Sequence, residues 1–314
     1  MKAFITGITG MIGSHFYKEL SIRGYEVYGI ARNSAASRLE QEKDSNIFRC
    51  DILDKDFLEK LLEKVHPDLV IHMAAQAFNG ISWDMEYTTH QTNYFGTLNL
   101  LQACRKVCPE AKILLACSSA EYGAFEINDC PLKESQPLHP ITPYGVSKVA
   151  TENLGFQYYK NFNLKVFLPR MFIHVGTGHP PATAIQNFAR QLALIKLRKM
   201  EPIMKVGTLE TARDFIDVRD GVSAMLLVLN EGVPGIPVNI CTGDVFSIKE
   251  TLEKLTSISG IDEKIIMESS LFRPSDETTL YGDNSIIRSL GWKQKFSFNE
   301  TLNDVFSDWM KRLS

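Results

Sequence analysis

The sequence lacks the features that mark a secreted or membrane protein. It has no apolar run long enough to span a bilayer, and Met1–Gly7 has the pattern of a strand instead of a basic leader followed by an apolar segment. We therefore expect no signal peptide and no membrane span, and we place the protein in the cytoplasm. Repeats, low-complexity tracts and linkers rich in Pro, Gly or Ser are also missing, so two freely moving domains are not expected.

A strong excess of one charge is absent as well. The chain has 34 Lys and Arg residues against 37 Asp and Glu, which argues against a nucleic acid partner because phosphate backbones bind basic surfaces. Apolar residues make up 44% of the chain and charged residues 23%, a balance typical of a folded protein. A length of 314 residues favours one main body that carries a smaller lobe.

The six cysteines show no spacing typical of a zinc site or a disulfide framework. Cys104 and Cys108 would share one face of a helix, but no His and no second Cys pair accompanies them at the spacing that zinc requires. We therefore predict buried free thiols and no metal site.

Short apolar runs alternate with amphipathic stretches from the first residues to about Arg170. Each connection between parallel strands needs a crossover element, so this alternation predicts an α/β fold with a doubly wound parallel sheet covered on both faces. The runs predicted as strands are Lys2–Thr6, Glu26–Ala31, Asn46–Cys50, Leu69–Met73, Lys112–Ala116 and Lys165–Leu168.

After Arg170 the alternation becomes less regular. We predict helices over Ala184–Arg198 and Asn299–Leu313 and short strands at Phe215–Val218 and Val238–Ile240. The last helix carries apolar residues at helical spacing, which indicates core packing rather than a binding surface: Leu302, Val305, Phe306 and Trp309. The predicted division is a main body over 1–170, to which 215–243 returns, and a smaller C-terminal lobe over 171–314.

The first strand runs directly into three glycines, Gly7, Gly10 and Gly13, and a helix is predicted from about Met11. Such glycines allow a sharp turn, close approach of backbone N–H groups to a pyrophosphate, and tight packing of helix on strand. The helix N-terminus then faces the anion. A tight turn without a ligand is the alternative, but the strand, loop and helix context favours binding of a dinucleotide.

The second predicted strand is followed by Arg32, where an enzyme selective for NAD would be expected to place a carboxylate near the ribose hydroxyl. A guanidinium is suited to a 2′-phosphate, so the sequence favours NADP over NAD. The alternative is that Arg32 is a solvated surface residue.

Tyr144 and Lys148 follow a predicted helix start, in which Thr142 is the N-cap and Pro143 lies in the first turn. Four residues apart on a helix, the two side chains share one face, so the ammonium can stabilise the phenolate and let the phenol exchange a proton near neutral pH. Ser118 and Ser119 follow the fifth strand, at the sheet edge where open α/β sheets bind ligands. A serine hydroxyl there can hydrogen-bond a substrate oxygen, although an ordinary loop hydroxyl is the alternative.

In their order along the chain, these segments resemble the extended short-chain dehydrogenases/reductases that act on nucleotide sugars, a family of NAD-dependent epimerases and dehydratases with a Rossmann fold. The resemblance covers nearly the whole chain. It rests on Gly7/Gly10/Gly13, Asp51-Ile52, Ala74-Ala75, Asn93-x-x-Gly96-Thr97, Ser118-Ser119-Ala120-Glu121-Tyr122-Gly123 and Pro143-Tyr144-x-x-x-Lys148.

The resemblance implies a catalytic set in which Ser118 contacts the substrate oxygen, Tyr144 is the acid/base, and Lys148 holds both the tyrosine and the nicotinamide ribose. It also implies a homodimer formed through helices over Tyr94–Lys106 and Pro143–Lys160. The cofactor contacts predicted from the glycine turn and from the resemblance together are Gly7, Thr9, Gly10, Met11, Ile12, Gly13, Arg32, Asp51, Ile52, Ala74, Ala75, Gln76, Asn93, Tyr144 and Lys148.

Three segments of the C-terminal half, Glu201–Gly207, Arg213–Asp220 and Phe272–Asp276, look most like those of GDP-4-keto-6-deoxy-D-mannose reductases and, next, of GDP-mannose 4,6-dehydratases. Dehydratases of the family carry an acid two residues before the Tyr-Gly pair; here that position is Ala120, and Glu121 is displaced by one, which disfavours dehydration. The resemblance implies that Arg213 and Arg273 grip the nucleotide diphosphate, to which paired guanidiniums are well suited, whereas Arg219 is better explained by a surface salt bridge. The substrate contacts that we predict are Ser119, Glu121, Phe172, Arg213 and Arg273.

One departure from the family pattern concerns the sugar. The segment Arg-x-Phe-Asn-x-x-Gly-Pro-Gly of the family has Ile173 in place of its Asn and Thr177 in place of its Pro. An amide that can hydrogen-bond the sugar or its phosphate is thus replaced by an apolar side chain, so a differently substituted sugar is compatible with this sequence.

The sequence therefore predicts hydride transfer between NADP, or NAD, and C4 of a GDP-linked 4-keto sugar, an activity of carbohydrate biosynthesis. A GDP-sugar 4-dehydrogenase, or an epimerase with tightly held NAD, would use the same residues. A redox sensor that binds the dinucleotide without turnover is the non-enzymatic alternative, which the presence of Ser118, Tyr144 and Lys148 disfavours.

Overall fold

The computed structural model describes residues 1–32, 46–262, 264–267 and 279–314. Its strands are β1 (Lys2–Thr6), β2 (Glu26–Ala31), β3 (Ile47–Arg49), β4 (Leu69–His72), β5 (Lys112–Leu115), β6 (Cys117–Ser118), β7 (Lys165–Met171), β8 (Ile173–Val175), β9 (Ile203–Val206), β10 (Ala212–Asp217), β11 (Pro237–Ile240), β12 (Val245–Ser247), β13 (Lys264–Met267) and β14 (Thr279–Leu280). All eight strands predicted from the sequence are present, with ends that differ by a few residues.

The α-helices are α1 (Met11–Ile22), α2 (Lys55–Val65), α3 (Glu86–His90), α4 (Gly96–Val107), α5 (Pro143–Phe162), α6 (Ala184–Lys196), α7 (Val218–Glu231), α8 (Ile248–Ser259), α9 (Ser285–Ser289) and α10 (Phe298–Leu313). One π-helical turn, Gln91–Phe95, joins α3 to α4. In the described part of the chain, no helix is long and apolar enough to cross a membrane.

Within the described residues, the large sheet has eight strands in the order β11-β7-β5-β4-β1-β2-β3, with β6 also beside β7, and every pairing in it is parallel. The chain leaves β1 towards β2 and β3, then returns to β4 on the other side of β1. The carboxyl ends of β1 and β4 therefore form the switch point at which open α/β sheets bind ligands. The doubly wound Rossmann-type fold predicted from the sequence is confirmed.

Both faces of this sheet are buried, as parallel sheets require. Successive β1 residues point to opposite faces, so Ile5 packs with Phe16 of α1 and Val222 of α7, while Phe4 packs with Leu58 of α2 and Leu101 of α4. Each layer of helices covers an apolar face, and this sandwich fixes the loops at the carboxyl edge.

A second apolar core lies in the C-terminal half, among α6, α8 and α10 and the small sheet in which β10 pairs with β8, β12 and β14. The predicted stripe on α10 is buried there, and Trp309 Nε1 donates to Gln186 Oε1 at 2.8 Å. The predicted core role of this helix is confirmed. β11 pairs with β7 in the large sheet, whereas β10 belongs to the smaller one; the division at about residue 170 stays a prediction.

The cysteines are free thiols, as predicted. Five are buried in the apolar layers and Cys130 is half-buried. They are packing residues of the core rather than cross-links.

Candidate active site

The turn after β1 has the backbone geometry of a phosphate-binding loop. Gly7 has φ of 69°, and a Cβ on it would lie 2.8 Å from the backbone N of Ala74. A Cβ on Gly13 would lie 2.2 Å from the Gly7 carbonyl oxygen. Glycine is therefore required at both positions, once for the turn and once for the close packing of α1 on β1. Gly10 is the N-cap of α1 and supplies no side-chain cap, which leaves the first N–H groups of the helix available to an anion.

A cavity of about 240 Å³ opens beside this turn. Residues from five separate segments meet there, and most of them are cofactor contacts predicted from the sequence: Gly7, Thr9, Ile30, Ala31, Arg32, Cys50, Asp51, Ile52, Ala74, Ala75 and Thr92. Arg32 lies at the exposed rim, next to the end of β2. The shape and charge of the cavity suit an adenosine that carries a phosphate on its ribose.

Tyr144 and Lys148 occupy the first turns of α5. Thr142 caps this helix by accepting from the Gly145 N–H at 3.0 Å, and Pro143 is in its first turn, both as predicted. Lys148 Nζ lies 5.7 Å from the centre of the Tyr144 ring and donates to the Ala116 carbonyl at 2.6 Å. Because that carbonyl follows β5, the bond fixes the ammonium at the carboxyl edge of the sheet, beside the phenol.

Ser118 ends β6 and Ser119 follows it, and both lie on the wall of a cleft of about 390 Å³ that also contains Tyr144. Ser118 and Tyr144 are each less than a tenth exposed, so their hydroxyls are shielded from bulk water. Met11, Ile12, Phe172 and Arg213, all predicted as ligand contacts, line the same cleft. The structure thus brings Ser118 and Tyr144 together in one cleft, with Lys148 beside the Tyr144 ring.

Sequence reasoning missed the outer wall of this cleft, which consists of Ala77, Phe78, Asn79, Gly80, Ile81 and Trp83. This segment follows β4, and its position at the carboxyl end of a central strand was the signal that could have identified it. Ser82 in the same segment is buried, and its hydroxyl accepts from the Tyr144 N–H at 3.3 Å. The segment therefore contacts the cleft and the catalytic helix together.

Glu121, which we predicted to contact the substrate, does not face the cleft. Its side chain is completely buried, and its Oε1 accepts from the Ser118 N–H at 2.7 Å. Ala120, the preceding residue, lines the cleft instead. The prediction for Glu121 is wrong, because in the short turn after β6 one step along the chain moves a side chain from the cleft wall into the core.

Asn93 and Gln76 form the support of the cofactor floor. Asn93 Oδ1 accepts from the Gln76 N–H at 2.8 Å, and Asn93 Nδ2 donates to Ser147 Oγ at 2.8 Å. Asn93 is buried, so it shapes the site by joining the loop after β4 to α5.

A directed chain of hydrogen bonds behind the floor involves His72, which no sequence pattern had indicated. Thr97 Oγ1 donates to the Asn93 carbonyl, so it must accept from His72 Nε2 at 2.9 Å. His72 Nδ1 is then an acceptor for Thr6 Oγ1 at 2.7 Å, and Thr6 accepts from the Ala74 N–H at 3.1 Å. Burial, and next the positive charge of Lys148, lower the pKa of His72 to about 3. The ring is therefore neutral, as this series of hydrogen bonds requires.

A second cavity, of about 260 Å³, adjoins the catalytic cleft in the C-terminal half. Arg213 lines both spaces, together with Ile173, His174, His179, Ala182 and Thr183. α6 forms the far wall with Ile185, Gln186 and Phe188. A guanidinium at the junction of two cavities is well placed for a diphosphate that joins two parts of a ligand.

Three further residues that the sequence analysis discussed have distinct positions. Arg219 forms ion pairs with Asp217 and Asp304, each at less than 3 Å, so the predicted salt bridge is confirmed. Ile173, which replaces the Asn of the family, lines both the catalytic cleft and the cavity next to α6. Thr177, four residues later, is half-buried. Arg273 lies outside the described residues.

Comparison with known proteins gives a family match over nearly the whole chain. The family model described as GDP-mannose 4,6 dehydratase matches residues 4–305. The chain is 30% identical over 313 residues to GDP-6-deoxy-D-mannose reductase of Pseudomonas aeruginosa, covering 99% of this chain and 98% of that one. It is 29% identical over 340 residues to GDP-mannose 4,6 dehydratase of Homo sapiens, covering 96% and 90%.

Solved structures agree with this match. The protein RMD from Pseudomonas aeruginosa, complexed with NADPH, superposes with a TM-score of 0.88 at 30% identity, covering 99% of each chain. UDP-glucose 4-epimerase of Thermotoga maritima with UDP-glucose superposes with a TM-score of 0.91 at 26% identity, covering 100% of each chain. These structures share the fold from end to end, including the smaller C-terminal half.

The chain of hydrogen bonds through His72 makes a stability prediction. Thr97→Val leaves the buried His72 Nε2–H without an acceptor, whereas Thr151→Val removes a hydroxyl that only donates, to Asn93 and Ser147. We expect Thr97→Val to lower the free energy of unfolding by about 1–3 kcal/mol more than Thr151→Val does, as measured by urea unfolding. Equal losses in the two variants would show that His72 does not depend on Thr97.

Proposed function

Because the chain belongs to the GDP-mannose 4,6 dehydratase family, an enzyme family of the extended short-chain dehydrogenase/reductase class, we propose that it is an NADPH-dependent reductase of a GDP-linked 4-keto sugar. The observation that carries the proposal is that Ser118 and Tyr144 line one cleft, while the Lys148 ammonium is held 5.7 Å from the centre of the Tyr144 ring. The substrate class is that of the Pseudomonas aeruginosa reductase at 30% identity.

The residues present fit a dinucleotide. Gly7 and Gly13 sit where any Cβ would collide with backbone, and α1 presents its unpaired N–H groups next to them, as a pyrophosphate requires. Asp51, Ile52 and the Ala74-Ala75 floor would hold the adenosine and the ring system beyond it. When bound, NADPH supplies the hydride that reduces the sugar carbonyl.

The side chains of the cleft supply the proton and hold the substrate oxygen. Tyr144 donates its phenolic proton to the carbonyl oxygen as that oxygen gains negative charge, and Ser118 donates a second hydrogen bond to the same atom. Lys148 is held beside the phenol through its bond to the Ala116 carbonyl, so its positive charge stabilises the phenolate left after transfer. The buried position of all three groups strengthens these interactions by excluding water.

The position of Ala120 supports reduction over dehydration. Elimination of water from a sugar needs an acid or base in the cleft besides the tyrosine, and the family dehydratases have one at this position. Here Ala120 lines the cleft with a methyl group, and the neighbouring Glu121 is enclosed in the core. A chain with this turn can move a hydride and a proton, but its turn offers no carboxylate for the elimination.

The catalytic cleft and the adjoining cavity next to α6 favour a substrate in which a sugar is linked to a nucleotide. The sugar would lie in the cleft with Tyr144, the diphosphate beside Arg213, and the nucleoside against α6 in the second cavity. Ile173 at the junction supplies no hydrogen bond, so Arg213 carries more of the recognition of the diphosphate than it would beside an amide.

We also propose that the enzyme is a cytoplasmic homodimer, formed through the helices over Tyr94–Lys106 and Pro143–Lys160. Phe95, Val146 and Phe156 lie on these segments and are each between 44% and 52% exposed. Exposed large apolar side chains on these two segments favour burial against a second copy.

Turnover with a defined substrate tests the proposed reaction. We expect purified enzyme to oxidise NADPH when GDP-4-keto-6-deoxymannose is added, with a product two mass units heavier. Tyr144→Phe should lower kcat by about 10²–10⁴-fold because the proton donor is lost, and should leave the affinity for NADPH largely intact. Nicotinamide absorbance and mass spectrometry follow the reaction, and fluorescence titration gives the affinity.

The matched control is Tyr159→Phe, the same chemical change on α5 but at the end away from the cleft. It should retain full activity. Oxidation of a GDP-sugar by NADP, or interconversion of two sugars without net use of NADPH, would identify a dehydrogenase or an epimerase instead. Stable binding of NADPH with no conversion of any GDP-sugar would support the redox sensor.

Gly10→Ala tests the phosphate-binding turn separately from the fold. The nearest contact of a Cβ on Gly10 is 3.2 Å to the Gly7 carbonyl oxygen, which a small shift relieves, whereas the Cβ in Gly13→Ala would lie 2.2 Å from the same atom. We expect Gly10→Ala to keep its melting temperature but to weaken NADPH binding by at least about tenfold, because the methyl group blocks close approach of the pyrophosphate. Gly13→Ala should lose stability. Unchanged NADPH affinity in Gly10→Ala would place the pyrophosphate elsewhere.

Arg32→Ala tests the choice between the two dinucleotides. A guanidinium on a 2′-phosphate contributes about 1.5–3 kcal/mol, so KM for NADPH should rise about 10- to 100-fold while KM for NADH changes little. Arg23→Ala is the control, since Arg23 pairs with Glu19 at the other end of α1. A parallel rise of both KM values would make Arg32 a general surface charge without a role in selectivity.

A further inference from the structure

Two carboxyl groups and one guanidinium are buried together directly behind Ser118. Arg170 of β7 donates from Nε to Glu152 Oε2 at 2.8 Å and from Nη2 to Glu152 Oε1 at 2.7 Å. This two-point pair matches the charge of Glu152, which lies on α5 one turn after Lys148. Because the Arg170 guanidinium already bonds both carboxyl oxygens of Glu152, it takes the position that a metal cation bound to Glu152 would need.

Glu121 is the second carboxyl group, and within the described residues it shares its ion-pair partner, Arg170, with Glu152. Its Oε1 accepts from the Ser118 N–H. Its Oε2 is buried and has no hydrogen-bond partner among the described residues. Arg170 Nε is 3.8 Å from Oε2, but its hydrogen is directed at Glu152. Carboxyl oxygens of Glu121 and Glu152 and the sulfur of Cys117 lie within 4.8 Å of one another.

These surroundings favour the neutral form of Glu121. Burial, and next the Glu152 carboxylate, raise the pKa of Glu121 well above its usual range, against the opposing effects of Arg170 and the Ser118 N–H. The other ionisable groups near the cluster include the Cys117 thiol, Lys148 on α5, which donates to Ala116, and Tyr122, whose hydroxyl accepts from Arg170. A proton on Glu121 Oε2 satisfies that atom by donation to Glu152 and removes the repulsion between the two acids.

We propose that Glu121 is a positioning residue that, as a neutral carboxylic acid, ties the backbone of Ser118 to the Glu152–Arg170 pair and so fixes the Ser118 hydroxyl in the catalytic cleft. The turn is closed from the other side as well, because Ser118 Oγ accepts from the Ala120 N–H at 3.2 Å. β6 has only two residues, so this turn depends on side-chain bonds for its rigidity.

The neutral state also suits the reaction. Ser118 donates to a substrate oxygen that gains negative charge, and an ionised carboxylate one turn away would oppose that charge in a buried site. A protonated Glu121 holds the backbone without this penalty. The role rests on the proposed function for its effect on turnover, but the protonation of Glu121 is a property of the folded protein alone.

Two substitutions of Glu121 separate positioning from simple packing. Glu121→Gln keeps an acceptor for the Ser118 N–H and a donor for Glu152, so kcat should stay unchanged. Glu121→Met keeps the length of the side chain but removes both bonds, so kcat should fall about 10²-fold, with KM for NADPH unchanged, because the serine hydroxyl shifts. In a Ser118→Ala background, Glu121→Met should have no further effect on kcat. Melting temperatures show whether each variant is folded.

Infrared spectroscopy of the protein without substrate provides the readout that does not need turnover. The wild type should show a carbonyl band of a protonated carboxylic acid at neutral pH, sensitive to deuterium exchange, that is missing in Glu121→Gln. Absence of this band, loss of activity in Glu121→Gln equal to that in Glu121→Met, or an undiminished effect of Glu121→Met in the Ser118→Ala background would each overturn the proposal. If the wild type fails to reduce the GDP-4-keto sugar, the proposed function fails, and the infrared band still decides whether Glu121 is the neutral acid inferred here.

Discussion

The close contact between the ends of β1 and β4 is the constraint on which the site depends. Gly7 passes so near to Ala74 that a side chain at Gly7 has no room, and Thr6 Oγ1 accepts from the Ala74 N–H across the same gap. From Thr6 the hydrogen bonds continue through His72 to the α4 side of the sheet. The phosphate turn, the floor of the cavity and the support of α5 are therefore one connected unit, and a change in one of them alters the position of the others.

The charges inside the molecule are distributed so that few of them are left unmatched near the reacting groups. Arg170 is paired with Glu152, and the ammonium of Lys148 is held by a backbone carbonyl instead of a carboxylate. The buried imidazoles are neutral, since burial lowers the pKa of His72 to about 3 and that of His174 to about 4. With the imidazoles neutral and Arg170 paired, Lys148 is the ammonium placed next to the catalytic phenol in the described part of the site.

The direction of one side chain separates two chemistries in this family. A carboxylate that faces the cleft two residues before the Tyr-Gly pair can serve an elimination, whereas this chain has Ala120 there and carries its acid one residue later, inside the core. At this later position the Glu121 side chain points away from the cleft. Its Oε1 accepts from the Ser118 backbone N–H, and it lies next to the Glu152–Arg170 ion pair. The acid of this turn thus lies in the core while the fold around it is shared with the relatives.

The sequence by itself determined the features that depend on local spacing. The eight predicted strands, the glycine turn after β1, the Thr142 cap and the shared face of Tyr144 and Lys148 all follow from patterns within a few residues, and the structure has each of them. Only the tertiary structure decided the role of His72, the outer cleft wall around Trp83 and the burial of Glu121. These features arise where segments far apart in sequence come together, and a short turn such as that after β6 has no periodicity from which the direction of its side chains could be predicted.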